Sequence, residues 1–131
     1  MEDQESIKAI LLRMNQATID GDLDTVESCC AEHHFMLSRN NSGDPLDWNA
    51  ELFDPGLDKL RQGWTDTQAA QYRNEIKFLK IDVQNDLALA ITSETGSTTY
   101  GPWEDRISTW IVGRVDAECK ILGLVTQFRD A

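Results

Sequence analysis

The first thirty residues carry their apolar side chains at helical spacing. The stripe consists of Ile7, Ile10, Leu11, Met14 and Ala17. Residues three or four apart lie on one side of an α-helix, so this stripe predicts a helix with one buried face. Gly21 stands where a left-handed C-cap is expected, and Asp22 suits the N-cap of a following helix. The pattern predicts two helices that meet at an angle around Gly21.

From Asn74 to Phe128 the apolar spacing changes to the period of β-strands. Three turn signals divide this stretch, namely Asn85-Asp86, Tyr100-Gly101-Pro102 and Asp116-Ala117-Glu118. They separate four β-type runs, predicted at residues 75–83, 87–99, 103–115 and 119–128. Consecutive strands joined by short turns predict one antiparallel meander, with the helical segment as its cover.

The run 87–99 has two unequal faces. Leu87, Leu89 and Ile91 alternate with Ala88, Ala90 and Thr92. Because alternate residues of a strand point to opposite sides of a sheet, one face carries large apolar side chains and the other carries small ones. The small face leaves room for a helix or a ligand.

The middle of the chain is less regular. A short strand is predicted at 33–38 and a loop at 39–45, which is rich in Asn, Ser, Gly and Pro. Asp54-Pro55 is typical of a helix start, after which Leu57, Leu60 and Trp64 face one way. The polar stretch 64–74 predicts a loop over the sheet that could act as a lid.

Length and charge restrict the classes of protein. At 131 residues, the chain is expected to form one domain over 1–131. Its formal net charge of -11 disfavours nucleic acid and anionic membranes as partners. The acidic start lacks a signal peptide, and no apolar run reaches the roughly 20 residues that span a bilayer. We therefore expect a cytoplasmic protein, with Cys29, Cys30 and Cys119 as reduced thiols.

Three segments together resemble the nuclear transport factor 2-like (NTF2-like) superfamily, in its SnoaL-like branch. They are ATIDGDLD at 17–24, NDLALAITSE at 85–94 and DRISTWIVGRVDAECKILGLVTQF at 105–128. The resemblance implies an α+β cone, in which N-terminal helices pack inside a strongly curved, mostly antiparallel sheet. It also implies a ligand pocket at the wide end and a homodimer formed sheet to sheet. Relatives include isomerases, cyclases, dehydratases, hydrolases and association domains without catalytic activity, so the fold alone does not define a reaction.

Three residues are candidates for acid–base chemistry. His34 titrates nearest neutral pH and would be the natural base, although a surface histidine at a strand entrance is the alternative. Glu94 shares a face with Ala90 and Thr92, and Arg106 shares one with Ser108 and Trp110. If both faces are concave, Arg106 could hold a carboxylate or enolate oxygen of a ligand beside Glu94. The alternative is an exposed cross-strand ion pair.

Aromatic and amide side chains are candidates for ligand contact. Trp48, Trp64, Trp110 and Tyr72 could line a pocket, and Gln127 could donate a hydrogen bond to a ligand carbonyl. Packing in the core or at a dimer interface is the alternative for each aromatic residue. Trp103, after Gly101-Pro102, is expected at an edge or interface.

Two functions remain open from the sequence. The first is a small-molecule-binding domain that could act as a cofactor-independent isomerase, cyclase or dehydratase on a small, apolar, oxygenated substrate. The second is a binding or dimeric assembly domain without catalytic activity, favoured by the absence of a catalytic motif. We expect no cofactor. We also expect no metal, because Cys29/His33 and Cys30/His34 have one-turn spacing but no second ligand pair accompanies them.

Overall fold

Three helices and six strands make up the part of the chain that the structure describes, residues 4–39, 46–53, 58–99 and 101–128 of a computed structural model. The helices are α1 (Gln4–Asp20), α2 (Leu23–Cys29) and α3 (Asp58–Ala69). The strands are β1 (Cys30–Arg39), β2 (Trp48–Phe53), β3 (Arg73–Gln84), β4 (Leu87–Thr98), β5 (Gly101–Val115) and β6 (Glu118–Phe128).

The six strands form one mostly antiparallel sheet in the order β2-β1-β6-β5-β4-β3. Strands β3 to β6 are the predicted meander, and each pairs with the next one along the chain. The single parallel pairing joins β1 to β6. The predicted α+β class, with helices packed on a mostly antiparallel sheet, is confirmed.

The junction of α1 and α2 follows the prediction. Gly21 has φ +87°, and its N–H donates to the Ala17 carbonyl oxygen at 3.1 Å. Asp22 caps α2, because its carboxylate accepts a hydrogen bond from the Thr25 N–H at 3.1 Å. A glycine in the left-handed region followed at once by an N-cap lets the chain start a second helix in a new direction.

The helices cover the small-residue face of the sheet. Ile7, Leu11, Met14 and Ala17 of α1 pack in one core with Ala88, Ala90, Trp110, Val112 and Ile121. We call this side the inner face and the opposite side, which carries Leu89, Ile91 and Ile111, the outer face. Ala88 and Ala90 of β4 are buried in this core, so the prediction that the small face leaves room for a helix is confirmed.

One strand boundary in the first half of the chain was predicted wrongly, and one strand there was not predicted. Strand β1 begins at Cys30 and not at residue 33, because Cys30 is buried and pairs with Ile121 of β6. Strand β2 was not predicted; it pairs with β1 along its whole length, from His34 opposite Phe53 to Arg39 opposite Trp48. The start of β1 depends on β6, a partner far along the chain that a local pattern does not contain.

The predicted loop at 64–74 is wrong over its first half, because α3 continues to Ala69. Its polar residues bond along the helix and to α1. Gln62 donates to Asp66 at 3.0 Å, and Gln68 donates to the Thr18 carbonyl oxygen at 2.8 Å. The proposed helix start at Asp54-Pro55 and most of the predicted loop at 39–45 lie outside the described residues.

Candidate functional site

A buried ion pair joins Glu94 of β4 to Arg106 of β5. The two residues are directly opposite in the antiparallel register, with both side chains on the inner face. Arg106 donates to Glu94 Oε1 from Nη2 at 2.7 Å and from Nε at 3.2 Å. The Glu94 side chain is 2% exposed and the Arg106 side chain 14%. The pair is therefore not the exposed salt bridge that was the alternative.

Glu94 accepts two further hydrogen bonds. Asn74 Nδ2 donates to Oε1 at 2.8 Å, and Thr92 Oγ1 donates to Oε2 at 2.9 Å. The Thr92 hydroxyl is itself held by Trp110, whose indole N–H donates to it at 3.0 Å. A carboxylate has room for about four such bonds. Glu94 is thus occupied as an acceptor, an arrangement that suits a fixed counter-ion for Arg106 better than a base awaiting a proton.

Aromatic rings enclose the guanidinium of Arg106. Its central carbon lies 4.4 Å from the ring centroid of Trp103 and 5.5 Å from that of Tyr72. Arg106 Nη2 also donates to the Tyr72 hydroxyl oxygen at 2.5 Å. Such stacking orients a guanidinium while leaving part of its edge available to other acceptors.

The surroundings of Arg106 and Tyr72 keep both side chains in their proton-donating forms. Burial acts to lower the pKa of Arg106, but the interactions with Tyr72 and Glu94 outweigh it and the pKa is raised. Burial raises the pKa of Tyr72, although the adjacent Arg106 acts in the opposite direction. Arg106 is therefore charged and Tyr72 carries its proton at neutral pH.

Asn74 links the ion pair to a helix and to an aromatic wall. Its side-chain oxygen accepts a hydrogen bond from the Trp103 indole N–H at 3.1 Å. The side chain of Asn15 in α1 donates to the main-chain carbonyl oxygen of Asn74 at 3.0 Å and accepts from Asn74 Nδ2 at 3.2 Å. We call the whole group the Glu94 cluster, which consists of Tyr72, Asn74, Thr92, Glu94, Trp103 and Arg106.

Three of the predicted site residues belong to this cluster, and Trp110 supports it. Glu94, Arg106 and Tyr72 are in direct contact, and Trp110 reaches Glu94 through Thr92. Trp103 was expected at an edge or interface but stacks on Arg106 instead. Asn74 and Trp103 were not predicted as site residues.

His34 lies on the inner face but away from the cluster. Its neighbour on that face, Met36, is opposite Leu124, which pairs with Trp110. This places His34 beyond the Trp110 position, on the side away from Arg106. The imidazole is buried, its Nδ1 is 2.9 Å from the Ala31 carbonyl oxygen, and burial lowers its pKa. The expected surface histidine is therefore wrong, and a direct role beside Glu94 has no support in this geometry.

The remaining candidates are distributed around the fold. Trp64 of α3 packs against the core near Gly21. The strand register places Trp48, opposite Arg39, and Gln127, opposite Ile107, on the outer face. Neither of these two residues shares the inner face with the Glu94 cluster, so their proposed ligand contacts do not belong to this site.

The cysteine and histidine pairs near α2 do not form a metal site. Among the residues that the structure describes, no group of three or more His, Cys, Asp or Glu side chains could hold a metal ion. Cys29 and Cys30 are buried, and burial raises the pKa of Cys30 to about 12. No helix in the described ranges is long and apolar enough to cross a membrane.

Comparison with known proteins identifies the fold. No protein-family model and no curated protein sequence matches the chain. Solved structures do match. A ketosteroid isomerase-like protein from Erwinia carotovora atroseptica superposes with a TM-score of 0.75 at 12% identity, over 99% of this chain and 98% of the other. A candidate dehydratase of the NTF2-like family from Streptomyces avermitilis gives 0.74 at 14% identity, over 97% and 96%.

A third match has a different kind of role. A candidate calcium/calmodulin-dependent protein kinase type II association domain from Thiobacillus denitrificans gives a TM-score of 0.69 at 16% identity, over 94% of each chain. These similarities define the class: the chain has the cone-shaped NTF2-like α+β fold. The predicted resemblance is confirmed at this level. Because the matched structures differ in kind, the function has to be argued from the Glu94 cluster.

Proposed function

We propose that this protein binds a small, mostly apolar, oxygenated molecule, with an oxygen of the ligand at Arg106. The observation that carries the proposal is how the guanidinium of Arg106 is held and which of its atoms has no partner among the described residues. Glu94 and Tyr72 fix it, Trp103 stacks on it, and its side chain is 14% exposed. No hydrogen bond in the described part of the chain uses its Nη1 atom. A pre-oriented donor beside aromatic rings is typical of small-molecule sites.

Catalysis by the same site would need a base that is not Glu94. The cluster supplies donors that could stabilise an oxyanion, which isomerases, cyclases and dehydratases of small oxygenated molecules require. The similarity to a ketosteroid isomerase-like protein and a candidate dehydratase is consistent with such chemistry. The four hydrogen bonds that Glu94 accepts support ligand binding rather than proton abstraction as the role of the cluster.

Ligand binding is testable by protein-observed NMR with acetophenone, anisole, benzyl alcohol and benzoate as probes. We expect at least one probe to shift the indole N–H signal of Trp103 at millimolar concentration, because the ring stacks on the proposed site. The double variant Glu94→Gln/Arg106→Gln, which keeps the charge balanced, is expected to weaken the binding of that probe about tenfold or more. Arg114→Gln, on the exposed end of the same strand, is the matched control. If no probe perturbs Trp103, or if the double variant binds as the native chain does, the proposal is wrong.

We also propose that two copies of the chain pair through the outer face. This face carries apolar side chains that the helices do not cover, with Leu89 at 41% exposed and Ile91, Ile107 and Ile111 half-buried. A row of β-branched and leucine side chains on one side of a sheet is typical of an interface. The similarity to a candidate association domain is consistent with assembly.

The dimer can be tested by replacing one residue at the centre of the outer face. We expect the native chain to sediment as a dimer at micromolar concentration, and Leu89→Arg to sediment as a monomer, because the charge would be buried in the interface. Leu12→Arg is the control, since Leu12 is a similarly exposed leucine (46%) on α1. A native monomer, or a Leu89→Arg dimer, would contradict the proposal.

A further inference from the structure

Glu94 determines which kind of ligand oxygen the site accepts. We infer that the Glu94 cluster selects a neutral carbonyl oxygen and rejects a carboxylate. The inference rests on the proposed function, since it specifies the ligand of the same site. It begins with charge: Glu94 is hydrogen-bonded to Arg106 at 2.7 Å and is 2% exposed, so it accompanies Arg106 whether or not a ligand is bound.

The ion pair is electrically balanced before any ligand arrives. A carboxylate at Arg106 would place a second negative charge near Glu94, in a site that burial keeps at low dielectric. The chain as a whole carries a formal charge of -11, which opposes the approach of an anion as well. A neutral acceptor avoids both costs and still gains a hydrogen bond to a charged donor.

Two neighbouring donors of the cluster have no acceptor among the described residues. Arg106 Nη1 has N–H groups available, and the Tyr72 hydroxyl accepts from Arg106 while its own proton goes to no group among the described residues. The guanidinium and the hydroxyl that carry these two donors are in direct contact, since Tyr72 Oη is 2.5 Å from Arg106 Nη2. A carbonyl oxygen has two lone pairs and no proton to place, so it matches two neighbouring donors.

Aromatic side chains favour a flat group next to that oxygen. Trp103 and Tyr72 lie with ring centroids 5.7 Å apart at an interplanar angle of 37°, and both rings contact the guanidinium. Conjugated or cyclic ketones combine a planar apolar body with a carbonyl oxygen at its edge. They are the ligand class that the charges, donors and rings of the cluster fit together.

The experiment compares acetophenone with benzoate, two probes of nearly equal size that differ in charge. At pH 8 we expect the native chain to bind acetophenone about tenfold or more tightly than benzoate, measured by NMR titration of the Trp103 indole signal. In Glu94→Gln the order is expected to reverse, because the charge of Arg106 is then uncompensated. Tyr72→Phe serves as a second variant. It is expected to weaken the binding of acetophenone several-fold but to keep the preference for acetophenone over benzoate, since it removes one donor and neither charge.

Each outcome separates the inference from the proposed function. Tighter binding of benzoate than of acetophenone by the native chain would overturn the selection of neutral carbonyls and leave the small-molecule site intact. A preference for acetophenone that Glu94→Gln does not reduce would show that Glu94 is not its source and would also overturn the inference. If neither probe nor the other members of the panel bind at Trp103, the proposed function itself fails.

Discussion

Replacing Arg106 by leucine is expected to lower the free energy of unfolding by about 3 to 5 kcal/mol. The reason is the partner that remains: Glu94 would stay buried at 2% exposure without its counter-ion, with only the Asn74 and Thr92 hydrogen bonds to offset the loss of hydration. The stacking energy on Trp103 would be lost as well. Urea unfolding followed by tryptophan fluorescence measures the change.

Two further variants distinguish this explanation from a general sensitivity of strand β5. Arg114→Leu removes an arginine of the same strand whose ion pair with Asp86 spans 3.9 Å at the surface, and it is expected to cost less than about 1 kcal/mol. The double variant Glu94→Leu/Arg106→Leu is expected to recover at least half of the loss, because no buried charge remains. A small effect of Arg106→Leu alone would mean that water or a rearranged side chain compensates Glu94.

The second half of the fold could be predicted from the sequence because its signals are local. Alternation, turn residues and short connections define β3 to β6, and each strand pairs with its neighbour in the chain. The first half differs, since β1 pairs in parallel with the last strand and β2 lies at the far edge. The β1–β6 pairing joins residues roughly ninety positions apart, and no local pattern contains it.

The ion pair of the site was predictable, but its environment was not. Strand alternation placed Glu94 and Arg106 on compatible faces, and the structure adds that they are directly opposite. Trp103 escaped prediction because the pairing shifts between Glu94/Arg106 and Gly96/Trp103, with two residues on β4 matching three on β5. Simple alternation from Arg106 puts Trp103 on the outer face. A β-bulge reverses this by inserting one residue, so Trp103 reaches the inner face.

Gly96 is the residue that lets Trp103 take this position. It lies between Asn74 on one side and Trp103 on the other in the register. A Cβ atom built at Gly96 would clash with the Arg73 carbonyl oxygen and would lie 2.8 Å from Trp103 Cζ2. The indole ring therefore crosses β4 over a position without a side chain, and from there its N–H donates to Asn74 Oδ1.

Gly96→Ala is accordingly expected to destabilise the fold by about 3 kcal/mol and to disturb the site. Moving the Trp103 ring alone would leave the clash with the Arg73 carbonyl oxygen, so the β3 backbone must shift as well as the ring. Displacement of the ring would break the hydrogen bond to Asn74 and the stacking on Arg106, so probe binding at the Trp103 signal should weaken along with stability. Ser97→Ala, one residue further on the same strand, is the matched control for both measurements. If Gly96→Ala unfolds at the native urea concentration and binds the probe normally, then β4 and the bulge can accommodate a side chain, and Trp103 is held by its stacking on Arg106 rather than by the gap at Gly96.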